Sequence, residues 1–384
     1  MMAHGMKVTM VVHSDYFHDH RVRREASALI SAGYSLSVIA LSPGFERSCV
    51  DAADDAKIHC IKLDKKSGKA RYFEMIRKTR KALHALPAPD VFHAHDLDAL
   101  IAVAAFAKAR EIPLIYDSHE LHTEVHSLQN RPFTKAIWKF LEKKYIRNAD
   151  RIITVSDGIA ELLQQRYILE STPSVVRNFT NPPEESSTNP NGDALTEAIT
   201  LPNTEYISLY QGMLQPGRGV ELMIEAVAAL PDWSLVICGD GMLRQQLEDL
   251  TRQHGCVDRV LFTGMISRSQ INTITKSCTL GFLLTEPLGL SHYYSLPNKL
   301  TEYIQAGLPI LATGLPEIRR IVNNYSVGIT IPPEELSAES VAERMKEFGD
   351  NPGAFGKGLK KAAQELNWDA EKQRLLDVYA ELKA

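Results

Sequence analysis

The sequence predicts an α/β protein of two Rossmann-like domains, each a doubly wound parallel sheet, facing one another across an interdomain cleft. Three observations predict it. Strand-length apolar runs alternate with helix-length stretches, as parallel strands demand because each pair needs a crossover connection. The alternation stops at Asn181-Pro182-Pro183-Glu184-Glu185-Ser186-Ser187-Thr188-Asn189-Pro190-Asn191-Gly192, a polar segment whose Pro and Asn content suits a linker. It then begins again, and 384 residues hold two or three domains at about 150 each.

In order, the first half offers strand Lys7–Val12, a helix from Val22 to Ala32, strands Ser35–Leu41 and Asp90–His93, and a helix across Leu97–Arg110. Strand Leu114–Tyr116 follows, then Arg151–Val155 leading into a helix from Asp157. The second half opens with strand Tyr206–Tyr210, helix Val220–Leu230, strand Ser234–Cys238, helix Met242–His254 and strand Val260–Phe262. Strand Leu280–Leu284, a helix from Pro297 to Ala306 and strand Pro309–Ala312 complete it, and Asn367 to Leu382 reads as a terminal helix. The expected domains are therefore 1–180 and 205–365, with a linker at 181–204 and a last helix at 366–384. Ligands of such sheets bind beyond the carboxyl ends of the strands, so the cleft is where function is expected.

Composition narrows the classes. With 44% hydrophobic and 23% charged residues the chain is neither disordered, collagen-like nor disulfide-stapled. A net charge of −4 supplies no overall basic field for nucleic acid, although 26 basic and 21 acidic residues in 1–180 give net +5, against 17 and 26 in 181–384, net −9. The five cysteines Cys49, Cys60, Cys238, Cys256 and Cys278, odd in number and without Cys-x-x-Cys spacing, read as buried hydrophobes of a reducing compartment. Met1 to Met6 carry no basic region followed by a long apolar one, so no signal peptide is expected. No run of about 18 apolar residues could span a bilayer, which leaves a cytoplasmic protein that is either free or peripheral at the inner face of a membrane.

Two motifs carry the chemistry. In Gly212-Met213-Leu214-Gln215-Pro216-Gly217-Arg218-Gly219 three glycines surround an arginine between a strand and a helix. Glycine lets backbone approach a ligand and the guanidinium offers a planar fork to phosphate, so this is a diphosphate site or a mere tight turn. In Tyr294-Ser295-Leu296-Pro297-Asn298-Lys299-Leu300-Thr301-Glu302, Pro297 suits the first helical position, with Ser295 or Leu296 as cap. The amides of Asn298 and Lys299 then face an anion at the positive end of the helix dipole. Glu302, one turn further on the same face, can accept hydrogen bonds from two vicinal hydroxyls. A ribose diphosphate spans that distance.

With these residues in order, the second half resembles the nucleotide-binding domain of family-four retaining glycosyltransferases, the glycosyl transferases group 1 type, which have the GT-B fold. The resemblance rests on the Gly212 to Gly219 turn, Cys238-Gly239-Asp240-Gly241, Val260-Leu261-Phe262-Thr263-Gly264 and Pro297-Asn298-Lys299 through Ala306-Gly307-Leu308-Pro309. It continues in the first half through Asp19-His20-Arg21-Val22, His93-Ala94-His95-Asp96, Tyr116-Asp117-Ser118-His119-Glu120 and Ala149-Asp150-Arg151-Ile152-Ile153-Thr154-Val155-Ser156, covering nearly the whole chain. It implies an acceptor-binding first domain and a nucleotide-sugar-binding second domain, with a final helix that crosses back to the first. The implied reaction moves a hexosyl unit from a nucleotide-diphosphate sugar to a glycan, lipid-linked or cell-envelope acceptor, as in polysaccharide biosynthesis.

Residue by residue, the resemblance implies that Glu302 holds the donor ribose, Arg218 the diphosphate, and the backbone of Gly264, Met265 and Ile266 the base, with Gly212, Gly217, Pro297 and Asn298 completing the donor site. His119 stands beside the transferred sugar, and Asp19, Arg21, His95 and Glu120 are acceptor-side candidates. Two positions depart from the family. Tyr294 stands where members carry a sugar-contacting glutamate eight positions before the ribose glutamate, and Met213 stands where many have an arginine. Lys299 can supply the missing cation, so Arg218 and Lys299 are expected to act as a pair; the alternative is a solvated lysine. Tyr294 and Glu286 are candidates for sugar contact, and neither Glu286 nor Glu120 is expected to form a glycosyl-enzyme intermediate.

The histidines His13, His18, His20, His93, His95, His119, His122 and His126 allow a second reading, a metal-dependent hydrolase, since His-x-His-Asp and Asp-x-His-Glu set ligands at strand ends. GT-B transferases generally work without a metal, and no cofactor is expected. A third reading is a nucleotide-sugar-binding protein without transfer activity, motivated by Tyr294. Two basic stretches interleaved with aromatics, Lys65 to Lys81 and Arg131 to Lys144, suit either an anionic membrane surface or plain solvated helices.

Overall fold

The computed structural model describes residues 5–42, 47–50, 55–65, 67–181, 199–351 and 353–382. The chain divides into two compact units, Met1–Asn178 with Asp369–Ala384, and Phe179–Trp368. Most of the expected linker, 182–198, lies outside the described residues.

The first unit carries β1 (Lys7–Val11), β2 (Ser35–Ser42), β3 (Arg47–Val50), β4 (Lys57–Lys62), β5 (Val91–His95), β6 (Leu114–Ser118), β7 (Arg151–Thr154) and β8 (Ser174–Val175). They form one sheet in the order β3-β4-β2-β1-β5-β6-β7-β8, parallel throughout except that β3 runs antiparallel to β4. Its helices are α1 (His20–Ser31), α2 (Gly68–Ala85), α3 (Asp96–Ala109), α4 (His126–Gln129), α5 (Pro132–Tyr145) and α6 (Asp157–Tyr167). Helix α1 starts two residues earlier than its apolar pattern suggests because Asp19 caps it, accepting from the Val22 amide. The Ser156 hydroxyl caps α6 in the same way. Helix α3 is apolar nearly all round, and Leu97, Leu100, Ile101, Val103 and Ala104 are all buried.

The second unit is a six-stranded parallel sheet of β9 (Tyr206–Gln211), β10 (Trp233–Cys238), β11 (Val260–Gly264), β12 (Leu280–Leu283), β13 (Ile310–Thr313) and β14 (Gly328–Ile331). The order is β11-β10-β9-β12-β13-β14. Its strands read as continuous apolar runs because both faces are covered. Tyr210, Leu235, Ile237, Leu280 and Phe282 enter one core, while their strand neighbours Leu209, Val236, Cys238 and Leu283 enter the other. The covering helices are α7 (Val220–Ala228), α8 (Arg244–Gln253), α9 (Arg268–Ser277), α10 (Leu290–Tyr293), α11 (Asn298–Ala306), α12 (Pro316–Tyr325), α13 (Ala338–Asp350) and α14 (Gly356–Glu365). Capping boxes Ser267/Gln270 and Ser337/Ser340 start α9 and α13. The last helix, α15 (Trp368–Glu381), belongs from Asp369 onward to the first unit, with Leu375 and Tyr379 fully buried.

In each sheet the first strand is flanked on one side by the next strand in sequence and on the other by a later one. The strand order therefore reverses between β1 and β5 and between β9 and β12. A doubly wound sheet opens at such a reversal, and the loops after these strands converge there. Among the described residues no helix is long and apolar enough to cross a membrane.

Candidate active site

In the second unit β9 ends at Gln211 and the chain turns through Gly212 at φ +136. The turn is pinned to the one after β10: the Gly212 amide donates to the Cys238 carbonyl at 2.8 Å and the Leu214 amide to the Asp240 carbonyl at 3.0 Å. So close is this approach that a Cβ on Gly239, itself at φ +150, would stand 1.9 Å from the Gly212 carbonyl oxygen. Gly239→Ala is expected to destabilise the protein by more than the roughly 1–3 kcal/mol that backbone strain alone costs, read as a lower denaturation midpoint. The Gly239 amide in turn donates to the Gly264 carbonyl at 2.9 Å, which brings the end of β11 to the same edge. Beyond it Met265 is largely exposed and Ile266 half-buried.

A Cβ on Gly212 would meet Cε and Nζ of Lys299 at 2.6 and 2.7 Å, so the lysine lies directly on the glycine turn. Its ammonium also stands 4.7 Å from the centre of the Tyr210 ring. Burial and the nearby Arg218 charge, opposed by Glu302, lower the Lys299 ammonium to about 7. Arg218 is half-buried between Gly217 and Gly219, and among the described residues neither it nor Lys299 forms an ion pair. Two cations held near one another without a carboxylate on either make a site that favours an anion. Glu286 flanks the turn, its amide donating to the Gly217 carbonyl at 3.0 Å, and burial with Glu221 nearby raises its carboxyl.

Helix α11 corrects one expectation. Pro297 has the φ of a first helical residue, −66, but its ψ of 141 is extended, so it is the N-cap and the helix begins at Asn298. Ser295 does not cap; its hydroxyl donates to the His292 carbonyl at 2.8 Å. No side chain caps α11, which leaves its dipole end for a ligand. Glu302, one turn along, accepts a hydrogen bond from the amide of the buried Gln211 at the end of β9. Tyr294 closes the short α10, its ring edge-to-face with Tyr293 at 5.0 Å.

In the first unit His119 follows β6 and is ringed by carboxylates: Nε2 lies 3.1 Å from Asp117 and Nδ1 3.5 Å from Asp96. Burial alone would lower its pKa, but Asp96 and Asp117 outweigh it and raise the imidazole to about 9. His119 is thus an imidazolium at neutral pH. Asp96 sits at φ +65 where β5 passes into α3, and also accepts from the His119 amide at 3.0 Å. Below them Arg21 donates to both Asp117 oxygens at 2.9–3.1 Å, to the Val176 carbonyl at 2.9 Å, and pairs with Glu25 at 3.0 Å. Burial raises the Asp117 carboxyl, yet Arg21 and His119 hold it well below the usual range. His93 and His95 stack at 4.2 Å, and His93 Nδ1 meets the Tyr379 hydroxyl of α15 at 2.8 Å.

Two of the four acceptor-side candidates are thereby removed from solvent. Arg21 is 5% and His95 1% exposed, because each serves the buried Asp117. Asp19 is half-buried and spends its carboxylate on the α1 cap and the Ser14 hydroxyl, while Glu120 is exposed. The ligand-capable cluster Glu25, His93, His95 and Asp117 is wholly buried, and both its carboxylates are ion-paired with Arg21, which supplies a cation from within the chain. Sequence reasoning missed Gln211 as part of the site, and it read Asp96 and Asp117 as possible metal ligands and not as the partners that charge His119. Gln211 carried a signal, an amide ending an apolar strand.

Comparison with known proteins fits these two units. Residues 193–366 match the glycosyl transferases group 1 family and residues 19–182 match glycosyltransferase family 4. The alpha-D-kanosaminyltransferase of Streptomyces kanamyceticus is 26% identical over 225 residues, 57% of this chain and 56% of that one, so the chain spans little more than half the length of this relative. Sucrose-phosphate synthase from Thermosynechococcus elongatus superposes with a TM-score of 0.75 at 19% identity, covering 98% of this chain and 99% of that one. Anabaena HepE, solved with UDP and glucose, gives 0.69 at 16% identity over 98% and 99%. Two family matches that between them take in most of the chain, on two Rossmann-like sheets shared with these structures, identify it as a member of the family-four glycosyltransferases of GT-B fold.

Proposed function

We propose that the chain transfers a hexosyl unit from a nucleotide-diphosphate sugar, with retention of configuration, to a glycan, lipid-linked or cell-envelope acceptor. One observation carries the reading: Arg218, Lys299 laid on the Gly212 turn, and the uncapped start of α11 form an anion site, with the Glu302 carboxylate one helical turn away. That is the spacing of a diphosphate and its ribose. The HepE complex with UDP supports a diphosphate ligand for this type of fold. On this reading the departing diphosphate is stabilised by the two cations and the helix dipole, and no metal or other cofactor is assigned a role.

Retention then needs no protein nucleophile if the acceptor attacks on the leaving-group face and the departing diphosphate oxygen takes its proton. On this reading His119, already protonated, brings a positive charge to the transferred sugar and is not a base. His119→Ala should lower kcat by about 100-fold while leaving nucleoside diphosphate affinity within about twofold. Loss of affinity to match would overturn the role. Because the imidazolium gives up its proton near pH 9, turnover should also fall above that pH in the parent.

A thermal-shift panel of nucleoside diphosphates and their sugars tests the reading. A cognate ligand at about 100 times its dissociation constant should stabilise by roughly 2.7 kcal/mol, and a panel without any shift would refute it. Tyr294, in place of the sugar-contacting glutamate, motivates the alternative reading of a protein that binds the donor without turning it over.

A further inference from the structure

We propose that α2 and α5 of the first unit form a docking surface for an anionic lipid bilayer, with Phe73, Phe133, Ile137 and Phe140 entering the headgroup region and Lys69, Arg77, Lys81, Lys143 and Lys144 meeting lipid charge. The proposal deepens the acceptor side of the transfer reading, but its evidence lies wholly in these two helices.

Apolar side chains on a helix normally face a core. Here Phe133 is 87% exposed, Phe73 74%, Phe140 65% and Ile137 53%, against the buried Met75, Thr79 and Leu83 of the α2 core face. Phe133, Ile137 and Phe140 follow at i, i+4 and i+7, one stripe of α5, while Lys69, Phe73, Arg77 and Lys81 make a stripe of α2 at i+4 spacing. The Tyr72 and Trp138 rings meet edge-to-face at 5.2 Å and join the two helices.

Charge identifies the occupant. The sole acids of these helices are Glu74 and Glu142, and both are buried. Glu74 accepts from the Asp64 and Lys65 amides and pairs with Lys78, and Glu142 accepts from Thr123 and Tyr167. The helices' own exposed residues therefore present cations and aromatics with no carboxylate, and the neighbouring Asp64 is paired with Lys78 at 3.1 Å. Not every lysine counts: Lys135 and Lys139 are spent on Glu124 at 2.6 and 2.8 Å. Among the described residues Lys69, Arg77, Lys81, Lys143 and Lys144 make no ion pair. A second copy of this chain would set like charges against each other in a twofold contact, whereas anionic headgroups complement the cations and the interfacial zone accepts the aromatics.

Sedimentation of the full chain with vesicles tests it, using phosphatidylcholine alone and phosphatidylcholine containing a third phosphatidylglycerol. The protein should pellet with the anionic vesicles at low salt and be released at high salt. Lys143→Gln with Lys144→Gln should lower the partition coefficient roughly 30-fold. Phe133→Ser with Phe140→Ser should lower it at least about tenfold, while Val257→Ser, an exposed apolar position of the second unit, leaves it unchanged. Recovery that is equal with both vesicles, or absent from both, overturns the proposal, as does binding indifferent to the helix variants. Conversion of a dimer to a monomer by those variants in sedimentation velocity would assign the face to a second copy instead. Calorimetric titration of nucleoside diphosphate without vesicles reports separately on the donor site, so either reading can fail alone.

Discussion

Glu302→Ala should weaken nucleoside diphosphate binding by about 2–3 kcal/mol, roughly 30- to 150-fold, with the fold intact. The carboxylate lies one turn inside α11 and its proposed task is to accept from two ribose hydroxyls; hydrogen bonds to an ionised acceptor are the strong ones. Gln211 makes this acceptor directional, because the amide it donates fixes one carboxylate oxygen and holds the rotamer before the ligand arrives. Substitution leaves the Gln211 amide without its acceptor in a buried place, so part of the loss is a cost within the free protein. Thermal midpoints measured without ligand separate the two contributions. Calorimetry showing parental affinity in the variant would remove Glu302 from the donor site.

Arg218→Ala and Lys299→Ala should each reduce turnover by about 10²–10³, and the double variant should lose less than the product of the two. Both cations answer one developing charge, so once one is gone the other stabilises a leaving group that is already poorly placed. Lys299 adds a pH signature. With its ammonium lowered to about 7, only part of the unliganded protein carries the charge at neutral pH. Diphosphate binding favours the protonated form and must take up a proton above that value. Affinity should therefore fall as pH rises past 7, by about tenfold per unit until the pKa of the complex is reached. The slope should vanish in Lys299→Met, and titrations in buffers of different ionisation enthalpy should report the proton. Full activity in Lys299→Ala would leave Met213 without the compensation proposed for it.

Much of the sheet architecture is legible in the sequence because the strands are buried on both faces and appear as uninterrupted apolar runs. Other strands are not: β4, next to the edge strand β3, is a short Lys-Ile-His-Cys-Ile-Lys segment whose pattern is too brief to stand out, and the edge strand β14 is weaker still. Helix starts follow capping chemistry more than periodicity, which is why α1 begins at His20 once Asp19 caps it. Pro297 shows the limit of local reasoning, since the ring dictates φ and leaves ψ to the surroundings. The chemistry of the sites depends on partners far apart in sequence. Arg21 and Asp117 are 96 positions apart and Gln211 and Glu302 91, and no periodicity connects them. A guanidinium in a glycosyltransferase-like Asp-His-Arg run reads as a ligand contact until the fold encloses it with Asp117 and Glu25. Likewise Lys135 and Lys139 read as surface charge until Glu124 is seen beneath them.

The central claim is that a nucleotide-diphosphate sugar held by this chain is turned over with its anomeric configuration kept. Proton NMR of the anomeric region tests it most directly, following an α-linked donor selected by the thermal-shift panel in the presence of glycan acceptors. The account predicts loss of the donor anomeric signal and growth of a new α-anomeric signal in the product, with no sugar found on Glu286 or Glu120 by mass spectrometry. A β-configured product, a covalent sugar on either glutamate, or a donor that binds tightly and is never consumed would contradict it.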